Sequence, residues 1–187
     1  MAYPVEIHRT ARRLCIDAML LGVALLLSYL EAILPLALWI PLPGFKLGLC
    51  NVVITVAFAA LSPRDAAAIS FCRILLMGLL FGNAMSLLFS LCGGLLAYGG
   101  LWLFVRVGKR YFSMIGVSVG CAALHNIGQL LAAAAFFGID VILGYLPLLL
   151  LAALIFGTVT GVILETFLPR FKAVKRSFLK ENENKIV

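Results

Sequence analysis

Long apolar runs, broken only by short polar punctuation, set the solvent of this chain before they set its fold. A membrane helix needs roughly 20 apolar residues at about 1.5 Å rise each, and somewhat fewer where neighbouring protein shelters its ends. Six stretches follow this pattern, near 14–34, 47–62, 66–82, 84–105, 112–137 and 142–168. The second and third are short and are parted by SPRD at 62–65, where Pro63 suits the first turn of the helix that follows. The third and fourth are parted by little more than Gly82 and Asn83. With 64% hydrophobic residues, 12% charged residues and a mean hydropathy of +1.13, the composition does not fit a water-facing surface. The expected fold is therefore an all-α integral membrane protein. It is a six-transmembrane-helix bundle over 14–168, preceded by a segment 1–13 and followed by a basic tail 169–187 that reads as a solvated extension.

The position of the charges orients this bundle. Lys and Arg collect on the cytoplasmic side of short loops. Arg9, Arg12 and Arg13 precede the first span, Arg64 lies between the second and third, and Arg106, Lys109 and Arg110 lie between the fourth and fifth. Arg170, Lys172, Lys175, Arg176, Lys180 and Lys185 follow the sixth. These segments alternate onto one side, so both termini are expected in the cytoplasm. The net charge of +7 is then a topology signal in contact with membrane lipid, not a nucleic-acid footprint. The opening MAYPVEIHRTARRL lacks the short apolar core and small-residue cleavage site of a secretory signal and is read as mature protein.

Of the 15 basic residues only Lys46 and Arg73 break the rule. A charge within a span usually faces the bundle interior or a water-filled cavity, pairs with an opposite charge, and marks function. Glu31, near the outer end of the first span, is the natural counter-charge. In the fifth span Ser118, Ala122, His125 and Gln129 recur at steps of four, three and four and share one face, with Asn126 beside them. Together with Glu31, Lys46 and Asn51 they outline a polar pocket in the outer half of the membrane, with Arg73 as its floor. Asn83 and Ser90 complete the candidate set. The competing reading is interhelical glue, since Ser, Asn, Gln and His bond across membrane helices for about 0.6 to 2 kcal/mol each. Asp17 and Glu165 fall near the cytoplasmic interface, and Asp140 reads as an outer helix cap.

Small-residue pairs add a second theme. Ala18 with Gly22, Gly116 with Gly120 and Gly157 with Gly161 allow close helix approach, either inside the bundle or against a partner protein. The run GGLLAYGG, 93–100, suggests a kink or a tight crossing. The cysteines form no CxxC pair and read as buried thiols, with no metal site. No GxxxxGK[ST] phosphate loop, aspartate-rich diphosphate cluster or HExxH is present, so ATP hydrolysis, prenyl transfer and zinc proteolysis lack their usual ligands. No cofactor is implied, and the polar face reads as a binding surface rather than an enzyme's.

SYLE (28–31), PLPGFKLGLCN (41–51), CRILLMGLLFGN (72–83), SLCGGLL (90–96), IGVSVGCAALHNIGQLL (115–131) and YLPLLLLAALIFGTVTG (145–161) resemble the Gx transporter family, also called heptaprenyl diphosphate synthase component I. That family is similar to the substrate-binding S components of energy-coupling factor importers. The resemblance implies six helices in a bacterial cytoplasmic membrane, a pocket toward the outside, and capture of a small anionic or zwitterionic nutrient or precursor. It also implies a transmembrane coupling protein and two ATPase subunits as partners, the coupling protein docking at Ala18 and Gly22. The older family name implies a different role, a noncatalytic membrane partner in polyprenyl diphosphate synthesis. In the importer reading Lys46, Arg73 and His125 donate to the ligand, Asn51, Asn126 and Gln129 orient it, and Glu31 holds a cationic group.

Overall fold

The computed structural model describes residues 3–33, 48–81, 84–107 and 112–183, which form six α-helices and no strand. They are α1 (Tyr3–Ile33), α2 (Asn51–Ala60), α3 (Pro63–Phe81), α4 (Ala84–Val107), α5 (Met114–Phe137) and α6 (Asp140–Glu183). Four of them contain stretches long and apolar enough to cross a membrane: Arg13–Ile33, Ala84–Arg106, Met114–Phe137 and Gly144–Ala173. The chain is thus an all-helical, multi-pass membrane protein.

Two expected spans take a different form. The stretch expected over 47–62 yields only the ten-residue α2, about 15 Å long, half of a hydrocarbon core of about 30 Å. It is a half-helix whose amino end is buried inside the protein. α3 is 19 residues long and carries Arg64, Asp65 and Arg73. At the termini, helix replaces the expected segments: α1 starts at Tyr3, and α6 continues through Pro169 to Glu183 instead of ending near 168.

Local sequence explains the helix boundaries. Ser62 caps α3, its Oγ accepting from the Asp65 amide at 3.2 Å, with Pro63 in the first turn where its missing N–H costs nothing. Ser113 caps α5 through the Gly116 amide at 3.1 Å, and Gly138 closes it at φ +89°, a conformation open to glycine. Asp140 falls in the first turn of α6, where a carboxylate suits the positive helix end. Around the Ser62 cap, Arg13 of α1 forks onto Asp65 at 2.7 Å and reaches Ser62 Oγ at 2.9 Å, and the Tyr98 hydroxyl of α4 donates to the Pro63 carbonyl at 2.7 Å. This end of the bundle is tied by side chains from α1 and α4.

Apolar clusters from several helices pack the interior. Ile54, Ala57 and Phe58 of α2 meet Ala66 and Ile69 of α3, Leu101 of α4, and Val117 and Cys121 of α5. Val56 and Ala60 meet Leu164 and Leu168 of α6, and Phe89 of α4 meets Ala132 and Ala133 of α5. α5 lies between α4 and α6, and glycine permits both contacts. A Cβ on Gly128 would stand 2.6 Å from the Cys92 carbonyl oxygen and 2.8 Å from Gly93 Cα. On α6, Gly157 and Gly161 lie against the backbones of Val119 and Ile115, each at 2.6 Å from such a Cβ. The Gly157 and Gly161 pair therefore packs the bundle internally. Ala18 is exposed on α1, and nothing lies within 4 Å of a Cβ on Gly22.

These contacts predict opposite outcomes for two alanines. Gly128→Ala meets backbone that cannot swing aside, and lowers unfolding stability in detergent by about 1 to 3 kcal/mol. Gly22→Ala meets open space and leaves stability unchanged or raised by about 0.5 to 1 kcal/mol through helix propensity. Equal thermal shifts in the two variants contradict this packing.

Candidate functional site

Several of the buried polar residues gather in one layer above the α2–α3 core. From α1 come Ser28 (0% exposed) and Glu31 (2%), three residues apart on one face. From α3 comes Arg73 (2%), and from α5 come His125 (2%) and Gln129 (5%). Ser90 of α4 is buried as well, one turn from Gly93. Lys46 and Asn83 lie outside the described residues, as do Trp39 and Phe45.

Contacts link these groups from helix to helix. Arg73 Nη1 donates to Ser28 Oγ at 3.2 Å. Glu31 Oε1 accepts the backbone amide of Gly48. Gly48 has φ +80°, and a Cβ there would collide with Asn51 Nδ2 at 2.8 Å and touch His125 Cδ2 at 3.8 Å. Gly48 is therefore glycine for two reasons, its left-handed backbone and the side chains pressed on it. Across the layer, a Cβ on Gly93 would meet the His125 carbonyl at 2.8 Å, Gln129 Cγ at 2.9 Å and His125 Cε1 at 3.1 Å. The adjacent Gly94 faces Ile74, next to Arg73. One step along α4 thus brings the turn of Arg73 and the turn of His125 and Gln129 to the same height.

The start of α2 has a specific electrostatic solution. A helix amino end buried in protein must satisfy its amide donors internally. The amides of Asn51, Val52 and Val53 donate to the carbonyls of Gly48, Leu49 and Cys50 at 2.9, 3.2 and 3.0 Å. The Gly48 amide, one residue beyond that turn, is taken by Glu31, which sets a carboxylate at the positive end of the half-helix. The role read from sequence for Glu31, holding a cationic group, is thus joined by a structural one.

Two expected ligand residues serve packing. Thr160 Oγ1 of α6 can donate to its own helix at Phe156 O, 2.8 Å away, so Ser118 satisfies both hydroxyls by donating to Thr160 at 2.7 Å. Ser118 lies two turns below His125 and outside the layer. Asn126 turns toward α6, its Nδ2 donating to the Leu149 carbonyl at 2.8 Å. Ser118 fits interhelical glue, and so does Asn126 through its Nδ2, while its Oδ1 is buried with no hydrogen-bond partner among the described residues. Arg73 and Gln129 do not fit glue: among the described residues Arg73 Nε and Nη2 and both amide atoms of Gln129 are buried with no hydrogen-bond partner, and so is Asn51 Nδ2. An unmet buried amide costs about 1 to 3 kcal/mol, and an uncompensated buried charge several more. These atoms carry hydrogen-bonding capacity that the described helix packing leaves unused.

Below the layer, Asn51, Thr55, Ser70, Tyr98 and Cys121 line a void of about 10 Å³. That is room for one water, so an organic guest does not sit there. Of the nearby aromatic residues, Phe89 is buried in the α4–α5 core, and Phe81 is exposed beside Tyr29 at 5.0 Å.

The profile of heptaprenyl diphosphate synthase component I matches residues 20–167. The chain belongs to this family. Neither a curated protein nor a solved structure matches it. The match spans every element of the layer, from Ser28 and Glu31 to Gln129, and the family's description names one component of a synthase. Of the two roles implied by sequence, that description favours the synthase partner over the importer subunit.

Sequence reasoning missed Ser28, Gly48 and Thr160. Ser28 carried a signal, its three-residue spacing from Glu31. Gly93 opens the run 93–100 read as a tight crossing, and it lies at one. Gly48 carried only its type, because its use depends on which side chains meet there.

The division between glue and site is testable by substitution. Asn126→Ala breaks a satisfied interhelical bond and lowers unfolding stability by about 1 kcal/mol. Gln129→Met removes unpartnered amide atoms at similar volume, and leaves the ligand-free protein as stable or more stable. Thermal unfolding of both variants, freed of ligand by extensive washing, decides the matter, and a larger loss in Gln129→Met places Gln129 with the glue.

Proposed function

We propose that this protein is the noncatalytic membrane component of a polyprenyl diphosphate-synthesising assembly, which holds an anionic or zwitterionic ligand in its polar layer while a partner subunit performs the chemistry. In this reading all six helices cross or enter a bacterial cytoplasmic membrane with both termini inside. The observation that carries it is the set of buried, unpartnered donors on Arg73, Asn51 and Gln129 in a chain of the component I family. The sequence lacks the aspartate clusters that hold metal-bound diphosphate in prenyl transfer, so the catalytic ligands fall to the partner. Affinity purification of the tagged full-length chain yields, on this proposal, a stoichiometric partner with prenyl-transferase activity that falls when this chain is removed. Prenyl transfer by this chain alone, or partner activity indifferent to its presence, defeats the proposal.

A second reading is the importer subunit, and its support is the placement of the unpartnered groups in the outer half of the bundle under the charge-based topology. In that reading Ala18, exposed on α1, and Gly22, half-buried with open space beside it, face a coupling protein that joins two ATPases. Native mass spectrometry of the gently extracted protein finds a small nutrient in this case. Its ATP-dependent uptake into vesicles then requires the coupling module, and loss of Arg73 abolishes retention. Retention of a prenyl diphosphate with no uptake decides for the synthase partner.

A further inference from the structure

Arg73 is 2% exposed, and a guanidinium keeps its charge in proteins. The group is a planar array of five N–H donors with distinct edges. Nη1 is held by Ser28 Oγ at 3.2 Å. On the edge away from the side-chain stem, Nε–H and one Nη2–H point the same way as two parallel donors. Both nitrogens are buried, and neither has a hydrogen-bond partner among the described residues.

This edge matches two oxygens of a carboxylate or a phosphate, the geometry in which arginine binds oxyanions most specifically. We propose that the Nε and Nη2 edge of Arg73 is the receptor for a paired oxyanion, the anionic head of the ligand assigned above, and the inference rests on that reading. Ser28 is the positioning residue: by fixing Nη1 it fixes the direction of the open edge. An oxyanion accepts from both donors and pairs directly with the guanidinium, which a water on that edge does not do. Glu31 is held at the start of α2 by the Gly48 amide and is not aimed at that edge by any contact described. Gln129, at the same height across Gly93 and Gly94, offers an amide donor and acceptor to the uncharged part of the same molecule.

Carboxylate and phosphate share this chemistry, and so does a phospholipid headgroup. The full-length protein in dodecyl maltoside, free of phosphate, is titrated at fixed ionic strength with acetate, inorganic phosphate, inorganic diphosphate and, separately, phosphatidylglycerol, with Tm as the readout. At least one probe raises Tm saturably, and the probe that does so names the head: carboxylate, free phosphate or lipid. Arg73→Lys keeps the charge but loses the fork and weakens that response about tenfold. Arg73→Gln abolishes it, and Ser28→Ala weakens it about threefold by releasing the guanidinium. A wild-type protein indifferent to every probe, or an Arg73→Gln protein that responds as wild type does, overturns the proposal. Should Arg73→Gln fail to fold, unchanged affinity in both Arg73→Lys and Ser28→Ala overturns it equally. Absence of a synthase partner leaves anion binding intact, while an uncharged co-purifying ligand with no anion response removes the fork and leaves a binding role standing.

Discussion

The approach of α5 to α4 at Gly128 and Gly93 governs what the polar layer can be. With a Cβ on Gly128 only 2.6 Å from the Cys92 carbonyl, the two backbones lie as close as helices allow, and only glycine fits on either side. That contact presses His125 and Gln129 against Gly93, so neither side chain can turn away from the interior. On the other flank, Gly157 and Gly161 let α6 lie directly on Val119 and Ile115. In lipid no hydrophobic gain drives helices together, so close packing and interhelical hydrogen bonds must supply the association. The tight α4–α5–α6 unit meets that requirement, and the Ser118–Thr160 and Asn126–Leu149 bonds are its polar complement.

The other half of the molecule is built on a helix that does not cross. A half-helix ending inside the protein is tolerated only where its backbone is satisfied, and α2 meets this with a tight turn over Gly48, Leu49 and Cys50 and the carboxylate of Glu31. The arrangement gives an acid buried at 2% exposure a backbone donor at the positive end of a helix. It also makes the turn ahead of α2 one wall of the layer, since Gly48 holds Asn51 and His125 together.

Much of this was legible in the sequence, and what was not has identifiable causes. The shared face of Ser118, Ala122, His125 and Gln129 followed from helical spacing, and all four are buried. Spacing does not say what stands opposite, so it could not separate Ser118, matched by Thr160, from Gln129, matched by nothing described. Apolar length gave a span at 47–62, but the positive φ of Gly48 and the demand of Glu31 for a backbone amide start the helix at Asn51. The sixth apolar stretch ends near 168, yet α6 runs on through Pro169, with Leu164, Leu168 and Phe171 packed against α2 to hold the register on both sides. Arg73 announced itself as a charge in the wrong place; that Ser28 rather than an acid holds it depends on how α1 and α3 pair, which no single helix encodes.

α1 joins these halves lightly. Met19 is 72% exposed and Leu26 64%, so lipid covers much of its surface, and its polar ties are concentrated at two levels. The lower is the Arg13 fork on Asp65 and Ser62; the upper is the pair Ser28–Arg73 and Glu31–Gly48. Fifteen residues of helix part Arg13 from Ser28, about 23 Å. The lower tie has its arginine 54% exposed, and such surface pairs contribute about 0 to 1 kcal/mol. The upper tie is buried and correspondingly stronger, but it shares its guanidinium with the open edge of the layer. A ligand on that edge, as proposed above, touches the group that holds α1, so its binding and the seating of α1 are linked through one side chain.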